Sequence, residues 1–326
     1  MIITQTPLRI SFVGGGSDFP DFYRKYSGAV VSSAIDKYIY VIVKERFDDE
    51  IVLNWRKKEI VKSLDSIEHE LIREAMKKTG VKKGIEITTL ADIPSEGAGL
   101  GSSSSVTVGL LQALYLYQGI SVDAERLAQE ACEIEIEILG KPMGKQDQYA
   151  AAYGGLNHFS FNKDDSVTIT KIPLDNNHLH QLADYLMLIY TGQTRSSSSV
   201  LSQQRKNIEK STDTLAKMVK QSYRVMAALE KGNWGSLGEA MDQGWRLKKQ
   251  LSVGITNPKI ERMYDLAKKA GAWGGKIAGA GGGGFLLLMV PSEKRQQVRK
   301  ALAEFVELPF GLERDGSKVI FNIRRA

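Results

Sequence analysis

The chain has 326 residues, of which 25% are charged and 42% are hydrophobic, and its formal net charge is +6 at pH 7. These proportions are ordinary for a globular protein, and the length fits two domains. The positive excess suits an anionic small substrate as well as a nucleic acid, but no nucleic-acid-binding motif accompanies it and no apolar run is long enough to span a membrane.

Two further features of the sequence indicate the compartment. The chain contains a single cysteine, Cys132, which excludes an internal disulfide and fits a reducing compartment. Its first residues open into a strand-like run without the layout of a signal peptide. We therefore expect a cytoplasmic protein whose partner is a small molecule rather than a nucleic acid or a membrane.

Hydrophobic periodicity predicts the elements of the chain. In the first half, strands are expected at residues 1–13, 30–44 and 84–90, a hairpin in 155–172, and helices at 64–80, 105–119 and 123–140. In the second half, strands are expected at 185–190, 285–290 and 318–323, and helices at 196–231, 234–251, 257–271 and 292–305. This order favours two α+β domains, residues 1–180 and 181–326, with a ligand cleft between them.

The most informative segment is residues 94–105, with the sequence PSEGAGLGSSSS. Glycines allow sharp bends and a close approach to a ligand, and the serines are expected to cap the helix that follows. Backbone N–H groups at a helix N-terminus bind anions, so a nucleoside triphosphate is expected here, although the G-K-[ST] ending of a Walker A motif is absent. The apolar periodicity directly after the serines disfavours the alternative, a flexible Gly/Ser linker.

Two other glycine-rich segments accompany this loop. Residues 7–18 read PLRISFVGGGSD, and residues 276–285 read KIAGAGGGGF. The order and spacing of the three segments resemble those of the GHMP small-molecule kinases, and the resemblance covers nearly the whole chain. It implies an α+β architecture with an N-terminal domain like ribosomal protein S5 domain 2, a ferredoxin-like C-terminal domain, and ATP and Mg²⁺ bound in the cleft between them.

The resemblance also implies which residues bind ATP. Carried over to this sequence, they are Pro94, Gly97, Gly99, Leu100, Gly101, Ser102, Ser103, Ser104, Gly281 and Gly282. The glycines of the third segment are expected to pack close to the phosphate loop. The alternative for that segment is a plain turn that leads into the following strand.

The helix expected after residue 123 offers a candidate metal ligand. At about 100° per residue, Glu130, Glu133 and Glu137 share one face, whereas Glu135 falls on the apolar side. A carboxylate on an apolar face is costly unless something pairs with it, and a metal ion would do so. The resemblance implies Mg²⁺ ligation by Glu135 and by a serine hydroxyl, for which we choose Ser103. The alternative is that the glutamates form a solvated alternating strip.

The resemblance implies two catalytic residues. Asp147, in the segment GKQDQ, matches the aspartate that accepts the proton of the attacking hydroxyl in galactokinase-type enzymes, and a carboxylate is a suitable base for orienting that hydroxyl. Arg9 matches the cationic residue near the reacting phosphoryl group. The alternatives are a helix N-cap for Asp147 and an arginine on a strand edge at the surface for Arg9.

Substrate-binding residues follow from the same resemblance. Asp18 matches the aspartate that binds sugar hydroxyls in galactokinases, which carry a Glu-His pair where this chain has Gly15 and Gly16. The missing side chains predict more room and disfavour galactose. Arg195, directly before a predicted helix, is expected to hold a phosphate on the substrate, with plain helix capping equally open.

The resemblance implies an ATP-dependent kinase that phosphorylates the anomeric C1 hydroxyl of a sugar. Within the family, the segments GGGSD and GKQDQ are most similar to those of kinases for D-glycero-D-manno-heptose 7-phosphate, so a 1,7-bisphosphate is the expected product. The alternatives are a kinase for fucose or another free sugar, and a non-catalytic sensor that binds ATP and a sugar. The expected partner is a sugar or sugar phosphate, and the sequence leaves a homodimer open.

Overall fold

The computed structural model describes residues 1–93, 97–194 and 197–323. Its strands are β1 (Ile2–Val13), β2 (Gly28–Glu45), β3 (Ile51–Asn54), β4 (Lys58–Val61), β5 (Ile85–Ala91), β6 (Leu156–Phe161), β7 (Val167–Lys171), β8 (Leu186–Tyr190), β9 (Gly274–Ile277), β10 (Phe285–Met289), β11 (Val306–Leu308) and β12 (Lys318–Asn322).

Its α-helices are α1 (Pro20–Tyr26), α2 (Glu70–Thr79), α3 (Ser102–Tyr117), α4 (Ala124–Cys132), α5 (Gln146–Tyr153), α6 (Asn176–Tyr185), α7 (Ser197–Lys206), α8 (Thr212–Glu230), α9 (Trp234–Lys248), α10 (Pro258–Lys269) and α11 (Arg295–Ala301). Short 3₁₀ turns lie at Leu64–Ser66, Glu209–Ser211 and Ser292–Lys294, and a π-helical turn lies at Glu133–Ile138.

Two long strands organise the larger sheet. β1 and β2 form an antiparallel ladder along almost their full length. The start of β2 also pairs with β6 and its end pairs with β5, so the sheet runs β12-β1-β2-β5-β3-β4, with β6 and β7 as a branch. From residue 6 to residue 13 every residue of β1 is buried, and helices α3, α5, α8 and α9 pack against this strand. Its buried residues therefore include the polar side chains of Arg9 and Ser11, which alternate with Leu8, Ile10 and Phe12.

The smaller sheet has the antiparallel order β11-β8-β10-β9. Its strand β10, of sequence FLLLM, is buried throughout. Successive side chains of a strand point to opposite faces, so Leu287 and Met289 enter the main core of the protein, whereas Leu286 and Leu288 enter a second core. The small sheet therefore joins the two cores and fixes the second half of the chain against the first.

The last strand returns to the first sheet. β12 pairs antiparallel with β1, from Ile2↔Asn322 to Gln5↔Lys318, and not with the smaller sheet. The division into residues 1–180 and 181–326 stays a prediction. In the structure the end of the chain crosses back to the sheet of the first half, where β12 pairs with β1. The crossing closes the edge of the sheet beside β1, the strand that carries the first glycine-rich segment.

Several of the predicted helices differ from those observed: those expected over 64–80 and 292–305 are shorter, and three others differ in their start or continuity. α3 begins at Ser102 and its N-cap is Gly101 (φ +80°). The serines therefore form the first turn of the helix, and the expectation that they cap it is wrong. The helix expected over 123–140 becomes π-helical after Cys132. The helix expected over 196–231 is interrupted between α7 and α8, because buried Ile208 turns into the second core and Asn207 donates 3.1 Å to Leu251 O.

Several short elements had no expectation, among them α1, β3, β4 and α6, and a helix in the place of α5 was implied only by the alternative that Asp147 is an N-cap. Of these, α5 matters most, because it begins two residues after Gly144 and carries Asp147 in its first turn. No helix within the described part of the chain combines the length and the apolar content needed to cross a membrane.

Candidate active site

A cavity of about 750 Å³ lies where the two halves of the chain meet. The first half supplies the strand β1, the loop before α3 and the loop before α5, and the second half supplies α7, the end of α9 and the third glycine-rich segment. The volume is within the usual range for a small-molecule site. The predicted cleft between the halves is therefore present, and it is lined by all three glycine-rich segments.

The second and third glycine-rich segments touch through their backbones. A methyl group on Gly99 would lie 2.5 Å from Ala278 O, one on Gly279 would lie 2.6 Å from Gly99 Cα, and one on Gly284 would lie 2.5 Å from Ala98 O. Each of these three glycines also has a positive φ. The expected packing of the third segment against the phosphate loop is confirmed, and the close approach explains why both segments need glycine.

Most of the expected ATP-binding residues line the cavity: Gly97, Gly99, Gly101, Ser102, Ser103, Ser104 and Gly281. Two do not. Leu100 is fully buried beneath the loop, where its carbonyl accepts a 3.0 Å hydrogen bond from Arg9 N, and the N–H of Gly282 donates 2.8 Å to Ile255 O. Their expected contact with ATP stays a prediction, since the carbonyl of Leu100 and the N–H of Gly282 are used to hold the loops. Pro94 lies outside the described residues.

The N-terminus of α3 is suited to an anion. Its N-cap, Gly101, has no side chain, so among the described residues no side-chain cap occupies the first N–H groups of the helix. The hydroxyl of Ser102 is buried at the cavity wall and has no hydrogen-bond partner among the described residues. Uncapped N–H groups, an unpartnered hydroxyl and the helix dipole together fit the phosphates of a nucleotide.

Glu135 is held directly behind this helix terminus. Ser103 Oγ donates to Glu135 Oε1, Ser104 Oγ and Gln148 Nε2 donate to Oε2 over 2.7 Å each, and Lys141 Nζ lies 3.8 Å from Oε1. Glu135 is fully buried, and this burial raises the pKa of its carboxyl group, against the lowering effect of Lys141 and the hydroxyl donors.

The glutamates of this helix do not form a solvated strip. Glu137 is exposed and Glu130 and Glu133 are half-buried, whereas Glu135 is 0% exposed. The helical periodicity argument therefore placed this carboxylate correctly on the buried side.

Ser103 and Glu135 fit a magnesium ion that also binds phosphates. No group of three or more His, Cys, Asp or Glu side chains in the described ranges could hold a metal by itself. Mg²⁺ usually keeps waters and takes one or two protein oxygens together with substrate phosphates. A buried carboxylate bonded to a hydroxyl that lines the cavity offers those oxygens beside the expected phosphate site.

Arg9 and Asp147 form a bidentate pair. Arg9 Nε donates 2.7 Å to Asp147 Oδ1, Nη2 donates 2.7 Å to Oδ2, and Nη1 donates 2.8 Å to Gly99 O. Arg9 is 3% exposed, so the alternative of a surface arginine is wrong. Asp147 lies inside the first turn of α5, whose N-cap is Lys145, so the alternative of an N-cap is wrong as well.

The pair lies against the N-terminus of α3. A methyl group on Gly101 would come within 3.3 Å of Arg9 Cγ and 3.5 Å of Asp147 Oδ2. Gln146 Nε2 donates 3.1 Å to Asp147 Oδ1 and so fixes the carboxylate from the other side. The structure thus brings the two expected catalytic residues together, next to the expected phosphate site.

Asp18 connects the first glycine-rich segment to the start of α5. Its carboxylate accepts 2.8 Å from Gly16 N and 3.3 Å from Gln146 N, and a methyl group on Gly144 would lie 2.1 Å from Oδ2. The residue lines the cavity, and burial raises the pKa of its carboxyl group. Asp18 therefore holds two loops of the site in addition to facing the cavity.

The expectation of extra room at the two glycines is half right. At Gly15 the nearest atom to an added methyl group is Ser11 Oγ at 4.0 Å, so this position is open. At Gly16 the same methyl group would lie 2.2 Å from Gln204 Nε2, because α7 brings this buried glutamine into the space. Arg195 lies outside the described residues, and its role stays a prediction.

Sequence reasoning missed two lysines of the cavity wall, Lys248 and Lys276. Lys248 continues the apolar stripe of α9 formed by Leu237, Met241 and Trp245, and a lysine at that spacing was a usable signal. Lys276 is the first residue of the third glycine-rich segment, but only the burial of β9 shows that its side chain is inside the protein.

Comparisons with known proteins agree with this geometry. Residues 60–155 match the N-terminal domain of the GHMP kinases and residues 225–308 match their C-terminal domain. A D-glycero-alpha-D-manno-heptose 7-phosphate kinase from Campylobacter jejuni is 32% identical over 318 residues, which cover 92% of this chain and 93% of that protein.

Two other relatives show the range of this similarity. The crystal structure of a D-glycero-D-manno-heptose 1-phosphate kinase from Bacteroides thetaiotaomicron superposes with a TM-score of 0.84 at 26% identity and covers both chains fully. An L-fucokinase/L-fucose-1-P guanylyltransferase from Bacteroides fragilis is 27% identical over 92% of this chain but only 36% of its own length. The likenesses confirm the expected two-domain α+β fold, while the names of the two heptose kinases differ in the position of the phosphate.

Proposed function

The chain belongs to the GHMP kinase family and is a sugar kinase, and we propose that it transfers the γ-phosphoryl group of ATP to the anomeric C1 hydroxyl of D-glycero-D-manno-heptose 7-phosphate. The product is the 1,7-bisphosphate. The observation that carries the proposal is the Arg9–Asp147 pair, held against the N-terminus of α3 inside the cavity.

In this proposal Asp147 is the base. Its carboxylate is fixed by Arg9 and by Gln146, so it can accept the proton of a sugar hydroxyl in a single orientation. Phosphoryl transfer depends mainly on positioning and on neutralising charge, and Arg9 supplies a positive charge beside the reacting oxygens. The same guanidinium ties Asp147 to the phosphate loop through Gly99 O.

ATP is the proposed phosphate donor, as in the family. The glycine loop and the first N–H groups of α3 would hold its phosphates, and Ser103 and Glu135 would hold Mg²⁺. When bound, Mg²⁺ neutralises phosphate charge. Because the reaction consumes ATP, we place it in the cytoplasm.

The proposed sugar site lies around Asp18 and the open position at Gly15. Asp18 would accept hydrogen bonds from sugar hydroxyls, and Arg195 would hold the phosphate on the substrate. Replacing Arg195→Ala should then raise KM for heptose 7-phosphate far more than KM for a neutral sugar, as steady-state kinetics with both substrates will show. Equal effects on both would remove Arg195 from the phosphate site.

The test of the function is Mg²⁺-dependent ADP release with a panel of acceptors. The panel holds D-glycero-D-manno-heptose 7-phosphate, mannose, fucose, galactose, N-acetylhexosamines and mevalonate, and ³¹P NMR identifies the position of the new phosphate. We expect turnover with the heptose phosphate and a product phosphorylated at C1. Turnover with a neutral sugar alone, or a phosphate at another position, would contradict the proposal.

A kinase for fucose is the second candidate. It is favoured by the 27% identity to the fucokinase-containing protein, which extends over 92% of this chain. The same panel separates the two, because only the heptose substrate brings its own phosphate to the site.

A further inference from the structure

Two buried lysines line the cavity from the second half of the chain. Lys248 is the last residue of α9 and Lys276 lies in β9, and each is 3% exposed. They share the cavity wall with Arg9, Asp18 and Asp147. Neither lysine has a place in the chemistry proposed above.

Neither lysine has a carboxylate within ion-pair distance in the part of the chain that the structure describes. Lys248 Nζ donates to Gly279 O, and Lys276 Nζ donates 2.8 Å to Ser11 O, but neither ammonium group forms an ion pair within the described residues. A buried charge without a counter-charge is strongly disfavoured. Burial, reinforced by the positive charge of Arg9, lowers the pKa of Lys248 to about 8. Burial, reinforced by the charges of Lys248 and Arg9, lowers the pKa of Lys276 well below its ordinary value. The carboxylates of Asp18 and Asp147 act on both lysines in the opposite direction but do not outweigh burial.

Lys276 reaches the reacting centre from the side of Asp147. It bonds to the carbonyl of Ser11, and the hydroxyl of Ser11 donates 2.7 Å to Gln146 Oε1. Gln146 in turn donates 3.1 Å to Asp147. A single residue of β1 therefore lies between this lysine and the glutamine that fixes the proposed base.

Lys248 reaches the same centre from the side of Arg9. Its partner, Gly279, lies in backbone contact with Gly99. The carbonyl of Gly99 accepts 2.8 Å from Arg9 Nη1. The two lysines therefore approach the Arg9–Asp147 pair along two routes, both from the half of the chain that does not carry the phosphate loop.

We propose that Lys248 and Lys276 form a phosphate-binding pair, in which both ammonium groups hold the oxygens of a phosphate group placed beside Arg9. Such oxygens accept strong charge-assisted hydrogen bonds and supply the negative charge that these lysines lack. The γ-phosphate of ATP and a phosphate on the acceptor are the two carriers of this chemistry. Which molecule carries the phosphate rests on the proposed function. The phosphate-binding pair itself is inferred from the position of the two lysines in the cavity wall.

A purely structural role would behave differently. If the lysines serve only to tie Gly279 and Ser11 in place, replacing them by methionine destabilises the protein and leaves phosphate affinity alone. If the lysines bind a phosphate, methionine removes a buried charge that has no close counter-charge. The variant without ligand is then as stable as the wild type or more stable, while its affinity for phosphate is lower. The two roles therefore predict different results in both measurements: a lower Tm with an unchanged Kd for the structural role, and an unchanged or higher Tm with a raised Kd for the binding role.

The experiment compares Lys248→Met, Lys276→Met and Lys248→Arg with Lys220→Met, which removes an exposed lysine of α8 that is not part of the cavity lining. Calorimetry measures the Kd of inorganic tripolyphosphate, and thermal unfolding without ligand measures Tm. We expect the Kd to rise by about tenfold or more in both cavity methionine variants, since a charged hydrogen bond contributes that much. Tm should not fall, Lys248→Arg should retain part of the affinity, and Lys220→Met should match the wild type.

An unchanged Kd in both cavity variants overturns the proposal, and so does a lowered Tm accompanied by an unchanged Kd. The carrier is then found by kinetics. A KM that rises for ATP supports the γ-phosphate, and a KM that rises for heptose 7-phosphate but not for a neutral sugar supports the acceptor. Because tripolyphosphate binding needs no turnover, a protein inactive on every sugar would contradict the proposed function and leave this test intact.

Discussion

At the scale of single residues, the site depends on two carboxylates in contrasting surroundings. Asp147 lines the cavity and is fixed by a bidentate hydrogen bond from Arg9. Glu135 is fully buried behind Ser103, which lines the cavity. The first arrangement suits a base that meets a substrate hydroxyl, and the second suits an oxygen donor behind a metal ion. The two carboxylates therefore should fail in different ways when their charge is removed.

Replacing Asp147→Asn should lower kcat by about 10²–10⁴-fold, the usual contribution of a positioned general base. The amide keeps the size of the side chain but cannot accept the proton. Binding of MgATP, measured by calorimetry, should stay close to that of the wild type. Asp164→Asn, in the exposed hairpin between β6 and β7, is the control. Wild-type turnover in Asp147→Asn would remove this residue from the mechanism.

Replacing Glu135→Gln should raise the Mg²⁺ concentration needed for half-maximal activity, by about 10–100-fold if the effect resembles that of other residues supporting a metal site. The charge is lost while the hydroxyls of Ser103 and Ser104 stay in place. The matched control is Glu137→Gln, two residues along the same turn and exposed. An identical Mg²⁺ dependence in both variants would show that Glu135 serves only to anchor the serines.

At the scale of elements, the phosphate loop is built by two glycine-rich segments that touch without side chains. Gly99, Gly279 and Gly284 lie at the contact, and all three have a positive φ. The strand β1 adds a hydrogen bond from Arg9 N to Leu100 O. The start of α3 is thus positioned from both halves of the chain, so a change at this contact should reach nucleotide binding.

Gly99→Ala should destabilise the protein and raise KM for ATP, because its methyl group would lie 2.5 Å from Ala278 O. Overpacking of this kind costs about 1–3 kcal/mol beyond the strain of a positive φ. The control is Gly80→Ala, which has a similar φ (+77° against +73°) but nothing within 4 Å of the added methyl group. Urea unfolding of both variants measures the difference, and equal losses of stability would exclude a tight contact at Gly99.

At the scale of the whole molecule, the cavity gathers charge from distant parts of the chain. Arg9 and Asp147 are 138 residues apart in the sequence, and the cavity-lining residues Lys248 and Lys276 belong to the second half of the chain. Burial of lysines without carboxylate partners lowers the stability of the protein without ligand. The dependence of stability on pH should reveal this cost.

Lys248 has a pKa of about 8 in the folded protein and about 10.5 when unfolded. Between these values the unfolded state binds more protons, so this lysine makes the free energy of unfolding rise with pH, by at most about 1.4 kcal/mol per pH unit. Below pH 8 its destabilising effect is fully present. The difference in stability between Lys248→Met and the wild type should therefore shrink from pH 8 to pH 10 in urea titrations. A constant difference would show that Lys248 keeps its ordinary pKa.

The sequence by itself determined the fold class, the three glycine-rich segments and the separate position of Glu135, because local periodicity and backbone requirements are written in neighbouring residues. Only the tertiary structure decided which residues share the cavity. In the structure Leu100 and Gly282 lie outside the cavity lining, Gln204 fills the space at Gly16, and Lys248 and Lys276 line the cavity. These outcomes depend on contacts between segments far apart in the chain, and no pattern along one segment records its distant partner.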